Sequence, residues 1–430
     1  MRVLRVSVLA TALATATLPA QLAGAYIVGP GGNYANLAAA ITALTTSGVV
    51  GPVIFFVTAN DSGPWTIPAF AGQGPANPVT FEALGGPITI SGTNPVLTLN
   101  GCASVTFRGF QGTFVAGTAN AFSITGSTTD CVFTGCDFRA NVVTTGVALF
   151  GFPGGSNCRI EDSTFGGAYE SLMCAVANTG TIVQRCRIIG GGWRVMTVGG
   201  SNFTLVNNFI SGTSNYGINA GIPGTAASAA NIKIWHNSVY IAHPTSGSQY
   251  CSLRWYSNST TSEVVNNVFF DVFPTASTTV FNLWCSGVLR PALMNYNCLW
   301  SNQPGYVPVF AGANQSFAQW QALGFDANSV QVDPQFVAPT ATPADLHLQN
   351  TSPIANAGTF LLNVLTDFDQ AGRTPPVSIG AAENDGSASY AVFGPAAPAP
   401  RACPATRLRV RHSSARRRRS RSATCRSHIS

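Results

Sequence analysis

One short pattern recurs through the middle of this chain: an apolar residue, two residues, a small residue or Asn, one residue, then a second apolar residue. It appears as Phe133-Cys136-Phe138, Ile160-Ser163-Phe165 and Val183-Cys186-Ile188. It continues as Leu205-Asn208-Ile210, Ile234-Asn237-Val239, Val264-Asn267-Phe269 and Met294-Asn297-Leu299. The middle residues lie 27, 23, 22, 29, 30 and 30 apart. A second apolar strand follows each pattern, read as Val147–Leu149, Met173–Ala175, Val195–Thr197, Ile218–Ala220, Leu253–Trp255 and Phe281–Leu283. Self-similarity at such a period marks a repeat architecture. A single unit cannot bury its apolar face, whereas units stacked about 4.8 Å apart bury a continuous core. A β-sandwich would instead show hairpin signals every 8–12 residues or so. The fold expected is therefore all-β, a right-handed parallel β-helix solenoid of at least two strands per repeat.

Equivalent residues then form columns. Asn208, Asn237, Asn267 and Asn297 fit a ladder in which Asn occupies the left-handed backbone of a tight corner and bonds its amide along the stack. The ends of such a stack need covering, because open edges recruit other chains. Leu37, Ile41 and Leu44 have helical spacing ahead of Val53–Val57 and predict an N-terminal capping helix. Ser316 and Gln319 resemble a capping box and Gly324 a stop, which predicts a short helix over 317–323 before an irregular C-terminal cap.

The ends of the sequence differ from its body. Arg2 and Arg5, an apolar stretch to Leu18 and the small residues Ala23-Gly24-Ala25 read as a signal peptide over 1–25, and so as a secreted or cell-surface protein. The solenoid and its caps span 26–393. Residues 394–430 are rich in Pro and Ala, then Arg and Ser, and read as a disordered tail. The formal charge of +6 comes from that tail: 401–430 hold ten Arg and no acid, whereas 26–400 hold ten basic and 16 acidic side chains, a net −6. The body therefore gives no electrostatic reason to expect nucleic acid. No later run has the ~18 apolar residues of a membrane span, and a monomer is expected.

The segment 331–383 contains Val332-Asp333-Pro334-Gln335-Phe336, Leu346-His347-Leu348, Ser352-Pro353-Ile354, Asp367-Phe368-Asp369, Arg373 and Ile379-Gly380-Ala381-Ala382-Glu383. The chain opens its body with Tyr26-Ile27-Val28-Gly29-Pro30-Gly31-Gly32. Both segments resemble the bacterial secreted right-handed β-helix proteins of the pectate-lyase-like superfamily, over roughly residues 26–387. The resemblance implies the fold; activity in that superfamily ranges over lyases, hydrolases, epimerases and members without a known reaction. Ser252-Leu253-Arg254 with Val264-Val265-Asn266-Asn267 also resembles a stretch of chondroitinase-B-like and alginate lyases. That likeness implies a catalytic Arg at Arg254. The His that follows it in that family is Trp255 here, and Lys233 does not fall at the family's Lys position.

Read across coils, several groups become neighbours. Asn219, Arg254 and Asn282 are expected in one outward column, with Tyr256 and Trp284 two residues further along. A guanidinium flanked by amides and aromatic rings suits a sugar chain, and insertions around 222–230 and 242–250 would wall a groove beside it. An ordinary polar surface is the alternative. Lys233 and Glu263 stack on adjacent coils, as a lyase base and its neighbour or as an ion pair. Asp162 with Arg185, and Asp137, Thr164 and Arg187 with Glu161, offer either paired carboxylates for glycoside cleavage or a salt-bridge ladder. His236 reads as a hydrogen-bonded corner residue. No cofactor is expected. Asp367, Asp369 and Glu383 offer oxygen ligands for Ca²⁺, and fixing the closing turns is the favoured reading of them. Cys131 and Cys158 each precede the ladder position by five residues on adjacent coils, about 5 Å apart and within disulfide reach; an unbonded stack is the alternative. The function expected is binding or processing of a polysaccharide or cell-surface glycan on the longest coils, by a lyase or glycoside hydrolase if it is an enzyme. The other reading is a non-catalytic adhesive or structural protein.

Overall fold

The structure, a computed structural model, describes residues 20–384 except 115–118, 141–145, 223–228, 246–248, 275–280 and 288. Residues 1–19 of the expected signal peptide and the tail 394–430 lie outside the described residues, as do parts of both insertions. The body is a parallel β-helix of three sheets with 11, 11 and 10 strands, each coil adding one strand to each sheet. Every pairing in the coil is parallel except the final two-residue strand Asn314–Gln315, which turns back on Val309–Ala311. Leu22–Val28 is the first strand of the first sheet. The expected cleavage site continues it, with Gly24 opposite Val53 and Ala25 opposite Ile54.

The core follows the repeat. Phe55, Phe81, Phe107 and Phe133 are register partners on successive coils. Their rings stack with centroids 4.9, 5.0 and 5.5 Å apart, close to the strand spacing itself. Ile160, Val183, Leu205, Ile234, Val264 and Met294 continue this column. One correction concerns the pattern: it is two strands, not one. Its first apolar residue lies in the first sheet and its second in the third, as in Arg159–Glu161 and Thr164–Gly166. Each full coil therefore carries three strands.

A second correction concerns the corner between them. The left-handed residue is one position before the ladder, at Gly135, Asp162, Arg185, Asn207, His236, Asn266 and Tyr296, with φ between 50° and 62°. That leaves the ladder Asn free to turn inward, where Asn208, Asn237, Asn267 and Asn297 are fully buried. Nδ2 of Asn208, Asn237 and Asn267 donates to Oδ1 of the next Asn at 2.9, 3.0 and 3.1 Å. Each Oδ1 so reached also accepts the backbone N–H of the preceding ladder residue. The ladder ends where Asn297 donates to Asp326 at 3.0 Å, and Trp320 Nε1 holds the other oxygen of Asp326 at 2.7 Å. Burial pushes the Asp326 carboxyl up, opposed by its Ser329, Asn297 and Trp320 donors.

Both caps form. Leu37–Ser47 is a helix whose N-cap Asn36 accepts from Ala39 N at 2.9 Å, and Leu37, Ala40, Ile41 and Leu44 are its buried face. Phe317–Ala322 is a helix with the Ser316/Gln319 capping box, and its Trp320 is fully buried. The segment from 331 then runs back over the outer face of the third sheet. Phe368 stacks on Phe209 at 3.9 Å, Arg187 Nη1 donates to Ala344 O at 2.7 Å and Asn207 Nδ2 to Thr366 O at 2.6 Å. Buried Arg373 pairs with Glu383 and donates to Asn207 Oδ1 at 2.9 Å. The closing segment thus covers one face and its corner, while the second sheet keeps its own outer surface. None of the helices among the described residues is long and apolar enough to cross a membrane.

Candidate functional site

The outer face of the second sheet carries one continuous column: Met173, Thr197, Asn219, Arg254, Trp284 and Phe310 are register partners on successive coils. Asn219 and Arg254 are adjacent as expected. Asn282 is not in the column. The strand begins at Leu283, opposite Leu253, so Trp284 takes the place beside Arg254. Asn282 turns inward, fully buried, and donates to Asp271 Oδ2 at 2.7 Å and Trp300 O at 2.7 Å. Equal counting would have found this, because Leu253 and Leu283 each lie 16 residues after their ladder Asn.

Three rings surround the Arg254 guanidinium. Its carbon lies 4.2 Å from the Tyr216 centroid, 4.6 Å from Trp284 and 5.1 Å from Tyr256. Each such contact is worth about 0.5–2 kcal/mol, more as water is excluded. Arg254 Nη2 donates to Gln249 Oε1 at 3.0 Å, and its buried Nε has no partner. Trp284 continues into a parallel stack with Phe310 at 5.8 Å, and Tyr216 meets Trp193 and Tyr250 edge-on at 5.3 and 5.4 Å. Burial raises the Tyr216 and Tyr256 phenols, opposed by the Arg254 charge, so both keep their protons near neutral pH.

One coil away from Arg254, Asn219 is fully buried with neither amide atom partnered. Leaving such a group unmet costs about 1–3 kcal/mol. Beyond it, Glu170 Oε1 pairs with Arg194 at 2.7 Å, and Arg194 also reaches Thr197 Oγ1 at 3.0 Å. Glu170 Oε2 is buried without a hydrogen-bond partner. Burial pushes this carboxyl up, offset in part by Arg194 and the nearby Thr197. Sequence reading missed Glu170, Arg194 and Tyr216 because alternation breaks there. They lie two residues before the core residues Leu172, Met196 and Ile218, yet share the face of Thr197 and Arg254.

Lys233 and Glu263 are register partners and form an ion pair, with Lys233 Nζ also donating to Thr261 O at 3.1 Å. Both belong to the first sheet, so neither stands beside Arg254. Asp271 is buried in the third sheet, 2.7 Å from His243 Nε2. Asp162 and Arg185 form a two-bond ion pair, touched by Gln370 of the closing segment. Asp137, Thr164 and Arg187 are register partners, but Asp137 pairs with Arg139 and Arg187 packs over Phe209 and Phe368. His236 is buried between Gly380 O and Asn266 Nδ2, and burial with the Arg373 charge holds it neutral. The oxygens of Asp367, Asp369 and Glu383 accept from backbone N–H groups, His347 and Arg373. These bonds tie the closing turns together.

No protein-family model matches the chain, and no curated protein does. Solved structures that align with the chain include two lyases and a tailspike protein. A rhamnogalacturonan lyase aligns with TM-score 0.44 at 12% identity, covering 81% of this chain and 99% of its own. Pectate lyase Pel9A aligns with TM-score 0.39 at 14% identity, covering 84% and 96%. The Dettilon tailspike protein gp208 aligns with TM-score 0.31 at 12% identity, covering 70% and 66%. At these values the likeness is one of fold. The three-sheet coil itself, with its inward Asn ladder and capping helix, places the chain among parallel β-helix proteins.

Proposed function

We propose that this is an exported glycan-binding protein and that the outer face of the second sheet, from Glu170 to Phe310, is its binding surface. The observation that carries the reading is the Arg254 guanidinium held by three aromatic rings on an outward column that continues through Trp284 and Phe310. A glycan would lay ring faces against Trp284 and Phe310, and a uronate or sulfate would take the Arg254 N–H edge.

Binding is favoured over turnover by distance. Among the described residues Glu170 is the one carboxylate carried by the second sheet's strands, and it lies three coils from Arg254, about 14 Å at the strand spacing. A proton-transfer group must come within about 3 Å of its target. Glu170 and Arg254 therefore cannot act on the same sugar ring.

The test is titration calorimetry of the purified protein against pectin, alginate, chondroitin sulfate and a neutral glucan, with parallel assays for unsaturated products and new reducing ends. Binding to at least one glycan, weakened tenfold or more in Arg254→Ala without turnover, supports the reading. Absence of binding to any of them, or equal binding by Arg254→Ala, overturns it.

A further inference from the structure

The binding face does not use the thiols. All nine cysteines among the described residues are free and buried. Most sit singly among apolar side chains, but three are clustered inside the coil near its N-terminal third. Cys131 Sγ lies 4.0 Å from Cys102 Sγ. Its other neighbour is Cys158, which occupies the same register position on the next coil, one residue before the partners Val132 and Arg159. Cys158 Sγ donates to Ser156 O at 3.5 Å, as Cys131 Sγ does to Thr129 O at 3.5 Å, so the two thiols sit alike on adjacent coils. Adjacent parallel strands hold such Cα atoms about 5 Å apart, inside the ~4.4–6.8 Å range of disulfides. Cys131 is thus the shared member of two possible bonds, and it can make only one.

We propose that Cys131 is a disulfide-forming site when the chain folds under oxidising conditions, with Cys102 and Cys158 as its alternative partners. The oxidant is a small-molecule or protein disulfide. Cys131 attacks it as a thiolate and displaces one thiol, leaving a mixed disulfide. The second cysteine then attacks Cys131 Sγ and releases the other thiol. Two Cys protons and two electrons pass to the oxidant, which leaves as two thiols, and one Sγ–Sγ bond joins neighbouring coils. The exchange belongs to the folding stage, because the closed coil buries all three thiols to 2% exposure or less. The neighbouring thiols, and then burial within the finished core, raise the Cys131 and Cys158 thiols, which suppresses the attacking thiolate. A bond once made is correspondingly shielded from reductants. The third thiol stays free, so the cluster always retains one reduced cysteine.

The experiment directs the full chain to a bacterial periplasm with a vector-supplied secretion signal, which removes dependence on the native leader. The harvested protein is denatured in alkylating reagent and mapped by peptide mass spectrometry without reduction. The expected result is a Cys131 peptide linked to the Cys102 or the Cys158 peptide. In Cys102→Ser the link to Cys158 should remain, and in Cys131→Ser both Cys102 and Cys158 should be alkylated. Circular dichroism of each variant confirms that the coil has formed. Full alkylation of Cys131 in the folded wild type, or its linkage to a cysteine outside the trio, overturns the proposal.

Discussion

Asn219 and Arg254 are register partners on adjacent coils, and each carries a buried polar atom without a hydrogen-bond partner. Arg254 is enclosed by Tyr216, Tyr256 and Trp284, whereas the amide of Asn219 is buried with nothing to bond. A stable fold does not leave an amide unmet without return.

Arg254→Lys separates charge from shape. Lys keeps the positive charge but loses the planar fork and the stacking of a guanidinium against aromatic faces. Glycan affinity should fall by at least fivefold, with Trp284→Ala causing a loss of similar size through the ring stack. Both variants should unfold within a few degrees of wild type. A Lys variant that binds as well as wild type would show that charge alone suffices there.

Asn267→Ala removes one rung of the ladder. Its Nδ2 serves Ile234 O, Val265 O and Asn297 Oδ1, and its Oδ1 accepts from Asn237 N and Nδ2. Several buried partners are then left unmet at about 1–3 kcal/mol each before relaxation. The thermal midpoint should drop by several degrees, far more than for an exposed site such as Asn314→Ala. A loss no larger than that control would mean the ladder is decorative.

His347 gives the closing segment a pH dependence. It lies between Asp345 and Asp369, bonded to the latter at 2.7 Å, and its pKa is raised from 6.5 to about 9 by these carboxylates against the opposing effect of burial. The folded state thus holds a proton that the unfolded chain releases near 6.5. The stabilisation is complete below pH 6.5 and disappears as pH rises through 9, with a magnitude on the order of 3 kcal/mol. Urea midpoints measured between pH 6 and 10 should decline across that window, and His347→Gln should flatten the decline.

Arg373 is the anchor of the same segment. Its side chain is fully buried beside Glu383, and removal of one member of such a pair costs about 3–5 kcal/mol. In Arg373→Ala, hydrogen exchange should accelerate over 355–384 and over the covered strands Phe209–Thr213 and Ser238–Ala242, while the second-sheet strands stay protected. Uniform acceleration throughout the coil would show that the segment is not a separate latch.

The repeat by itself determined the architecture. Period, apolar columns, the Cys136-Ser163-Cys186 positions, the Lys233–Glu263 stack and both caps could be read from residue order, because every coil must bury the same face at the same spacing. The Asn219–Arg254 adjacency was legible for the same reason. Tertiary structure decided the rest. A corner that inserts one left-handed residue moved strain from the ladder Asn to the residue before it. A strand starting two residues later than read exchanged Asn282 for Trp284. Broken alternation brought Glu170, Arg194 and Tyr216 to the face, and the returning segment covered a different one. Residue order fixes which coils are neighbours, but the direction of each side chain depends on where a strand begins and bends, and that is settled only when the turns close against the core.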